Sequence, residues 1–161
     1  LHDQLKEGDT IEVSAPAGDF YLEKSTQPVA LISGGVGVTP MMAMLDAVAA
    51  NEPNRKTVFI HAARNKEAHA FGRESAEKIS QLSDGKVYIA YEEKKHESDV
   101  CDVTGFISKD FLQKVIDSQS ICYVCGPVPF MRAVVQHLTE LGFDKQNIKY
   151  EFFGPSLALQ S

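Results

Sequence analysis

Apolar and polar positions change period along this chain in a regular succession. Val29-Ala30-Leu31-Ile32-Ser33 is a continuous apolar run that reads as a strand buried on both faces. Gly34, Gly35 and Gly37 follow it, and Thr39-Pro40 opens a segment whose Met41, Met42, Met44, Leu45 and Val48 form an apolar stripe. A helix is expected over 40–50, with Thr39 as its cap and Pro40 in its first turn. The alternation then repeats, with a strand at Thr57–His61, a helix within 68–82 and a strand at Val87–Tyr91. The charged stretch 92–99 has no helical apolar face and is expected to be an exposed, mobile loop. A short extended segment at Gly105–Ile107 precedes a small helix capped by Ser108 and running to Ile116. A strand at Ser120–Cys125, an amphipathic helix at Pro129–Leu141 stopped by Gly142, and a strand at Asn147–Phe153 complete the series. Strands alternating with helices predict an α/β fold, here a five-stranded parallel sheet with helices on both faces.

The chain before this series reads differently. Leu1–Asp9 looks like the end of a helix closed by Gly8, Thr10–Ser14 like a strand, and Phe20–Leu22 like a second short one. So few residues cannot build a core of their own. Residues 1–27 are therefore read as the C-terminal remnant of a preceding domain with its linker, 28–155 as the α/β domain and 156–161 as a tail.

Composition narrows the function classes. Against 16 Lys and Arg stand 22 Asp and Glu, a formal charge of -6 over 161 residues, which opposes a broad nucleic-acid face and gives no reason for an anionic membrane surface. No apolar run approaches membrane-spanning length and there is no leader pattern. A cytoplasmic protein with neither nucleic-acid nor membrane partners is expected. Cys101, Cys122 and Cys125 suit reduced thiols. Cys122 and Cys125 sit three apart in an expected strand, point to opposite faces, and so make a poor redox pair.

The candidate chemistry lies at strand ends. Glycines between a strand and a helix let a phosphate approach the backbone, and the first amides of the helix make an anion site; a tight turn needing glycine only for packing is the alternative. No Gly-Lys-Ser/Thr follows, which opposes a triphosphate P-loop. Nor does an acid close the second strand, where His61-Ala62-Ala63-Arg64 stands instead of the acidic ribose ligand of standard dinucleotide folds. Cys125-Gly126-Pro127 ends the fourth strand, either as an opening for a planar ring or as a helix-initiating turn. His69 reads equally as a helix-cap or a cofactor-edge residue. His2, His96 and His137 form no metal-ligand pattern, and no metal is expected.

Three ordered motifs carry a resemblance. Gly35-Val36-Gly37-Val38-Thr39-Pro40, Cys125-Gly126-Pro127 with Met131, and Glu151-Phe152-Phe153-Gly154-Pro155 resemble the Rossmann-like NAD-binding domain of the ferredoxin-NADP reductase superfamily. The reductase module of bacterial flavohemoproteins, which are globin-flavin nitric oxide dioxygenases, is the most similar group. His61-Ala62-Ala63, His69-Ala70-Phe71, Leu1–Asp9 and Pro16–Phe20 are similar to it as well. The resemblance implies that Gly35, Gly37 and Thr39 lie by the pyrophosphate and that Cys125, Gly126 and Pro127 line the nicotinamide side, with Val36, Val38, Pro40 and Met131 also among the cofactor-binding residues. His61 and Arg64 complete the implied nucleotide-binding set. Glu151 and Phe153 are implied to lie at the flavin as the catalytic pair, with Phe153 covering the ring until nicotinamide enters. Phe152 stands where relatives often carry cysteine.

NADPH-preferring relatives place Ser-Arg after the third strand, whereas this chain has Tyr91-Glu92-Glu93. Carboxylates oppose a 2′-phosphate, although Arg64, Lys94 and Lys95 could reach toward one; NADH is expected rather than NADPH. The family's flavin motifs and a globin pocket are not in this sequence, so FAD and haem are expected only in an intact protein that adds those domains as partners. The implied activity is NAD(P)H-dependent flavin reduction feeding haem for nitric oxide dioxygenation. The alternatives are a reductase serving an iron-sulfur oxygenase or cytochrome, and a nucleotide-binding module without turnover.

Overall fold

Ala30 and Ile32 face one core while Val29 and Leu31 face another, which is how a strand covered on both sides must divide its residues. The computed structural model describes Thr10 and residues 18–152. Expectations for 1–9, 11–17 and 153–161, including the upstream helix end, most of the first upstream strand and the placement of Phe153, lie outside the described residues.

The elements are β1 (Val29–Gly34), α1 (Val38–Asn51), β2 (Thr57–Ala63), α2 (Gly72–Ser80), β3 (Gly85–Tyr91), β4 (Val103–Thr104), α3 (Lys109–Val115), β5 (Ile121–Gly126), α4 (Val128–Glu140) and β6 (Ile148–Phe152). The strands lie in the order β4-β3-β2-β1-β5-β6, with every pairing parallel. Helices α1 and α2 cover the Leu31 face and α3 and α4 the Ile32 face. The chain leaves β1 toward β2 but leaves β5 toward β6, so the topological switch point falls between β1 and β5.

The sheet has a sixth strand beyond the five expected. The ladder forms at Val103–Thr104 rather than at Gly105–Ile107, because Gly105 takes φ +96 and turns the chain out of the sheet. The second helix starts only at Gly72, since a 3-10 turn at Lys66–Ala68 and left-handed Phe71, φ 59, precede it. Ser108 caps α3 as expected, accepting from the Phe111 amide at 3.2 Å. The loop 92–98 is exposed, but Asp99 is only 4% exposed and accepts from the His96 amide, so the stretch is anchored rather than mobile at that end. Cys122 and Cys125 enter opposite cores, as the strand geometry required.

Residues 20–22 form no strand. Side chains hold this segment instead: Phe20 packs edge-on against Tyr123, and the Tyr123 hydroxyl accepts from the Glu23 amide at 2.8 Å. Arg55, 5% exposed, donates to the carbonyls of Gln27 at 2.7 Å and Glu23 at 3.1 Å while paired with Glu52. Tyr123→Phe removes one of these ties, and is expected to lower the unfolding free energy by about 1 kcal/mol in urea titrations.

Candidate functional site

On the α4 side the last register rows run Val103, Ala90, Ala62, Gly34 across β4 to β1 and Gly126, Phe152 across β5 and β6, with Gly126 close against the Gly34 backbone. Ala90, Ala62, Gly34 and Gly126 have almost no side chain; Phe130 fills the space over Gly34 and Gly126, and Ala62 and Ala90 leave a shelf at the carboxyl ends of β2 and β3. Above the shelf opens a cavity of about 540 Å³, walled by Phe106 and Ile107 on one side and by Phe130, Ala133, Val134 and His137 of α4 on the other. Glu92 lies at its rim and Pro127 at its switch-point end. The position, outside the strand ends and beside the switch point, is where ligands of open parallel sheets bind.

The three loop glycines have three different reasons. A Cβ on Gly34 would stand 2.9 Å from the Phe130 ring, so this glycine seats a side chain. A Cβ on Gly37 would stand 2.2 Å from the Cys125 carbonyl oxygen, so this one lets β5 and the loop touch. Gly35 alone has open space, and its φ of +52 is the left-handed turn that glycine adopts most readily. The 3-10 turn Gly35–Gly37 runs straight into α1. Helical geometry therefore begins at Val38, and Thr39 is not the cap: Gly37 holds that position without a side-chain bond, while Thr39 Oγ1 donates to the Val36 carbonyl at 3.2 Å.

The structure sorts the expected site residues. Gly35, Val36 and Thr39 are exposed at the loop, with Val36 71% exposed, and Pro40 is half-buried. Val38 belongs to the α1 core, and Met131, 1% exposed, to the α4 core. Pro127 is exposed at the cavity end. Arg64 reaches Glu93 at 3.3 Å across solvent, so the one arginine near the third strand end already faces a carboxylate. Glu151 is half-buried beside Cys125 in register and next to Gly18, whose added Cβ would lie 4.0 Å from its Oε1. Burial and the Glu151 charge push the Cys125 thiol up to about 11, and burial pushes Cys122 to about 12; both stay protonated near neutrality. Sequence reasoning missed the row of small residues and the seat of Phe130. The signal was available, because each central strand ends in glycine or alanine on the same face, but it emerges only once the register is known.

His61 lies on the other face of β2, fully buried, with its Nδ1 2.8 Å from Ser33 Oγ. Its ring centroid is 5.1 Å from that of His69, whose Nδ1 is 2.9 Å from the Tyr91 hydroxyl. Burial, then the neighbouring His69, lowers His61 to about 4, and burial also lowers His69. His61 is thus a neutral group packed beneath the glycine loop. Among the described residues no cluster of three or more His, Cys, Asp and Glu is placed to hold a metal, and no helix is long and apolar enough to cross a membrane.

The oxidoreductase NAD-binding domain family matches residues 31–136, which take in most of β1, the glycine loop and most of α4. The chain belongs to that family. It is 46% identical over 166 aligned residues to a flavohemoprotein of Bacillus anthracis, covering 99% of this chain and 41% of that protein. The chain thus spans about two-fifths of the flavohemoproteins it matches. The flavohem-like FAD/NAD binding domain of nitric oxide dioxygenase from Vibrio cholerae superposes with a TM-score of 0.81 at 36% identity, covering 96% of this chain and 62% of that one. The cytochrome b5 reductase domain of Ulva prolifera nitrate reductase shares the fold, with a TM-score of 0.80 at 21% identity and coverage of 93% and 63%. The chain is an NAD-binding domain of the ferredoxin-NADP reductase superfamily, closely related to bacterial flavohemoprotein reductase modules.

Two measurements follow from this geometry. Gly37→Ala, which drives a methyl into backbone, is expected to lower the urea midpoint well below that of Gly35→Ala, whose cost is confined to about 1–2 kcal/mol of left-handed strain. A histidine whose native pKa lies below its unfolded one makes the unfolded state bind more protons between the two values. His61 therefore contributes stability that is complete above pH 6.5 and is lost as pH falls toward 4, by about 3 kcal/mol in all. Urea titrations across that range are expected to show the slope, and His61→Gln to flatten it.

Proposed function

We propose that this chain binds NADH across the switch point and presents its nicotinamide to a flavin held by a preceding domain, as the reductase part of a flavohemoprotein-type nitric oxide dioxygenase. The observation that carries the reading is the cavity over the small residues that end β2 and β3, together with the exposed turn at Gly35, in a chain of the NAD-binding family. On this reading Gly35, Val36, Gly37 and Thr39 form the pyrophosphate turn, with Val38 and Pro40 fixing its run into α1. The adenosine half lies in the cavity over Ala62 and Ala90. The nicotinamide half crosses the end of β5 at Pro127, which Cys125 and Gly126 support from beneath, toward Glu151 and Phe153. His61 holds the loop from beneath, and Met131 supports the α4 turn from the core.

The fit to a pyridine nucleotide is supported by the apolar cavity, the exposed loop and the backbone turn with space above it. When bound, NADH would supply a hydride for FAD held by the preceding domain, and the flavin would pass electrons on to haem for nitric oxide dioxygenation. The protein's part is placement and access, and no side chain here need act as nucleophile. The protonated thiol of Cys125 packs and leaves Glu151 as the charged group on that side. FAD and haem belong to the intact polypeptide, whose flavin and globin domains are the proposed partners. Free thiols at Cys101, Cys122 and Cys125 suit a cytoplasmic setting.

Glu92 at the cavity rim favours NADH, since its carboxylate can accept from a ribose diol and repels a 2′-phosphate. Titrations followed by reduced-nicotinamide fluorescence are expected to give tighter binding of NADH than of NADPH. Glu92→Gln is expected to tighten NADPH about fivefold while leaving NADH within a factor of two to three. Equal binding of the two nucleotides by the wild-type chain would remove the assignment of Glu92.

A further inference from the structure

Residues 18–27 carry no helix or strand, yet they follow one course along the α1 side of β5 and β6. The course begins near the carboxyl end of β6, where a Cβ on Gly18 would lie 4.0 Å from Glu151 Oε1. Phe20 and Leu22 then pack against the α1-side core, Phe20 with its ring centroid 5.9 Å from that of Tyr123. Glu23 donates its amide to the Tyr123 hydroxyl at 2.8 Å and pairs its carboxylate with Lys149 Nζ at 2.8 Å. The course ends at the amino ends of β2 and β5, where the Gln27 side chain donates to the Gln119 carbonyl at 3.1 Å and the Gln27 carbonyl accepts from Arg55 Nε at 2.7 Å. One strap thus connects the base of the sheet with the edge that carries Glu151.

No backbone ladder holds the strap, so its path depends on the side chains beneath it. Arg55 is decisive, because a planar guanidinium donates from Nη1 to the Glu23 carbonyl and from Nε to the Gln27 carbonyl, and so fixes the two relative to each other. Among the described residues its buried Nη2 has no hydrogen-bond partner. A buried donor left unpaired is costly, so this is a poor way to gain stability and a good way to fix a direction. Tyr123 adds the second fastening, with its ring against Phe20 and its hydroxyl on Glu23. Two residues of extended chain reach about 7 Å, so holding Phe20 sets where the polypeptide passes Glu151.

We propose that Arg55 and Tyr123 are positioning residues for hydride transfer: through the strap they set where the preceding flavin domain joins the α/β body, beside Glu151 at the nucleotide edge. The proposal rests on the reductase reading above and adds two residues to it, both remote from the cavity and from the glycine loop. Their effect falls on the distance between nicotinamide and flavin, not on the grip on NADH. Small misplacements of reacting groups cost rate steeply, so a loosened strap slows the reaction of a nucleotide that is still bound.

The test uses the intact polypeptide, loaded with FAD and mixed anaerobically with NADH in a stopped-flow instrument. Flavin absorbance gives the limiting reduction rate and the NADH concentration for half of it, and amide hydrogen exchange over 20–27 is measured in parallel. The variants are Arg55→Met, Tyr123→Phe and, as a core deletion away from the strap, Ile79→Val. Arg55→Met is expected to lower the limiting rate about tenfold and Tyr123→Phe about threefold, with the NADH dependence within about twofold of wild type. Both are expected to speed exchange over 20–27, whereas Ile79→Val changes neither rate nor strap exchange. Should Arg55→Met not fold, Tyr123→Phe decides alone. Unchanged limiting rates, or unchanged strap exchange, would overturn the proposal. So would a rate loss that Ile79→Val reproduces or that NADH affinity follows in proportion, which is what a merely structural role produces. A wild-type flavin that NADH does not reduce would instead refute the reductase reading, and the proposal with it.

Discussion

Where β1 and β5 end side by side there is no room for a side chain. The Cys125 carbonyl occupies the space that a Cβ on Gly37 would need, and the Phe130 ring occupies the space above Gly34 and Gly126. This crowding fixes the exit of the chain from β1, forces the 3-10 turn that starts α1 early, and holds the first turn of α4 close to the sheet. The open ground for a ligand is displaced from it, outward to Gly35 and sideways to the alanines of β2 and β3. A glycine-rich loop of this kind is as much a packing device as a binding one, and its residues divide the work.

The alternation of apolar runs with helical stripes made the fold legible, because strands covered on both faces have no polar positions to confuse the pattern. Cys122 and Cys125 were correctly parted for the same reason. What the pattern did not reveal were two short-range effects and one long-range one. Gly105 and Phe71, both left-handed, moved an edge strand and a helix start by a few residues. Thr39-Pro40 matched a helix opening, but the preceding turn had already entered helical geometry. The long-range effect is the row of small residues: Ala90, Ala62, Gly34 and Gly126 become neighbours only through strand pairing, which no single stretch of sequence encodes.

The two faces of the sheet do different work at the same edge. On the α4 face, absent side chains make space. On the α1 face, His61 fills it, bonded to Ser33 and packed at a tilt against His69, and its neutrality at ordinary pH keeps positive charge out of the core beneath the loop. Positive potential at this edge therefore comes from the start of α1, whose field is directed outward. The acidic residues of the β3 end, Glu92 and Glu93, shape the other end of the site, and Arg64 is drawn to Glu93 rather than held ready for a phosphate.

The grip of Arg55 and Tyr123 on residues 23–27 has a mechanical meaning. Two carbonyls, one amide and an edge-on aromatic contact tie that segment to the ends of β1, β2 and β5 opposite the ligand edge. From Phe20 onward the incoming polypeptide behaves as a spar bolted to the sheet, so a torque applied upstream turns the whole α/β body as one piece instead of being absorbed in a slack tether.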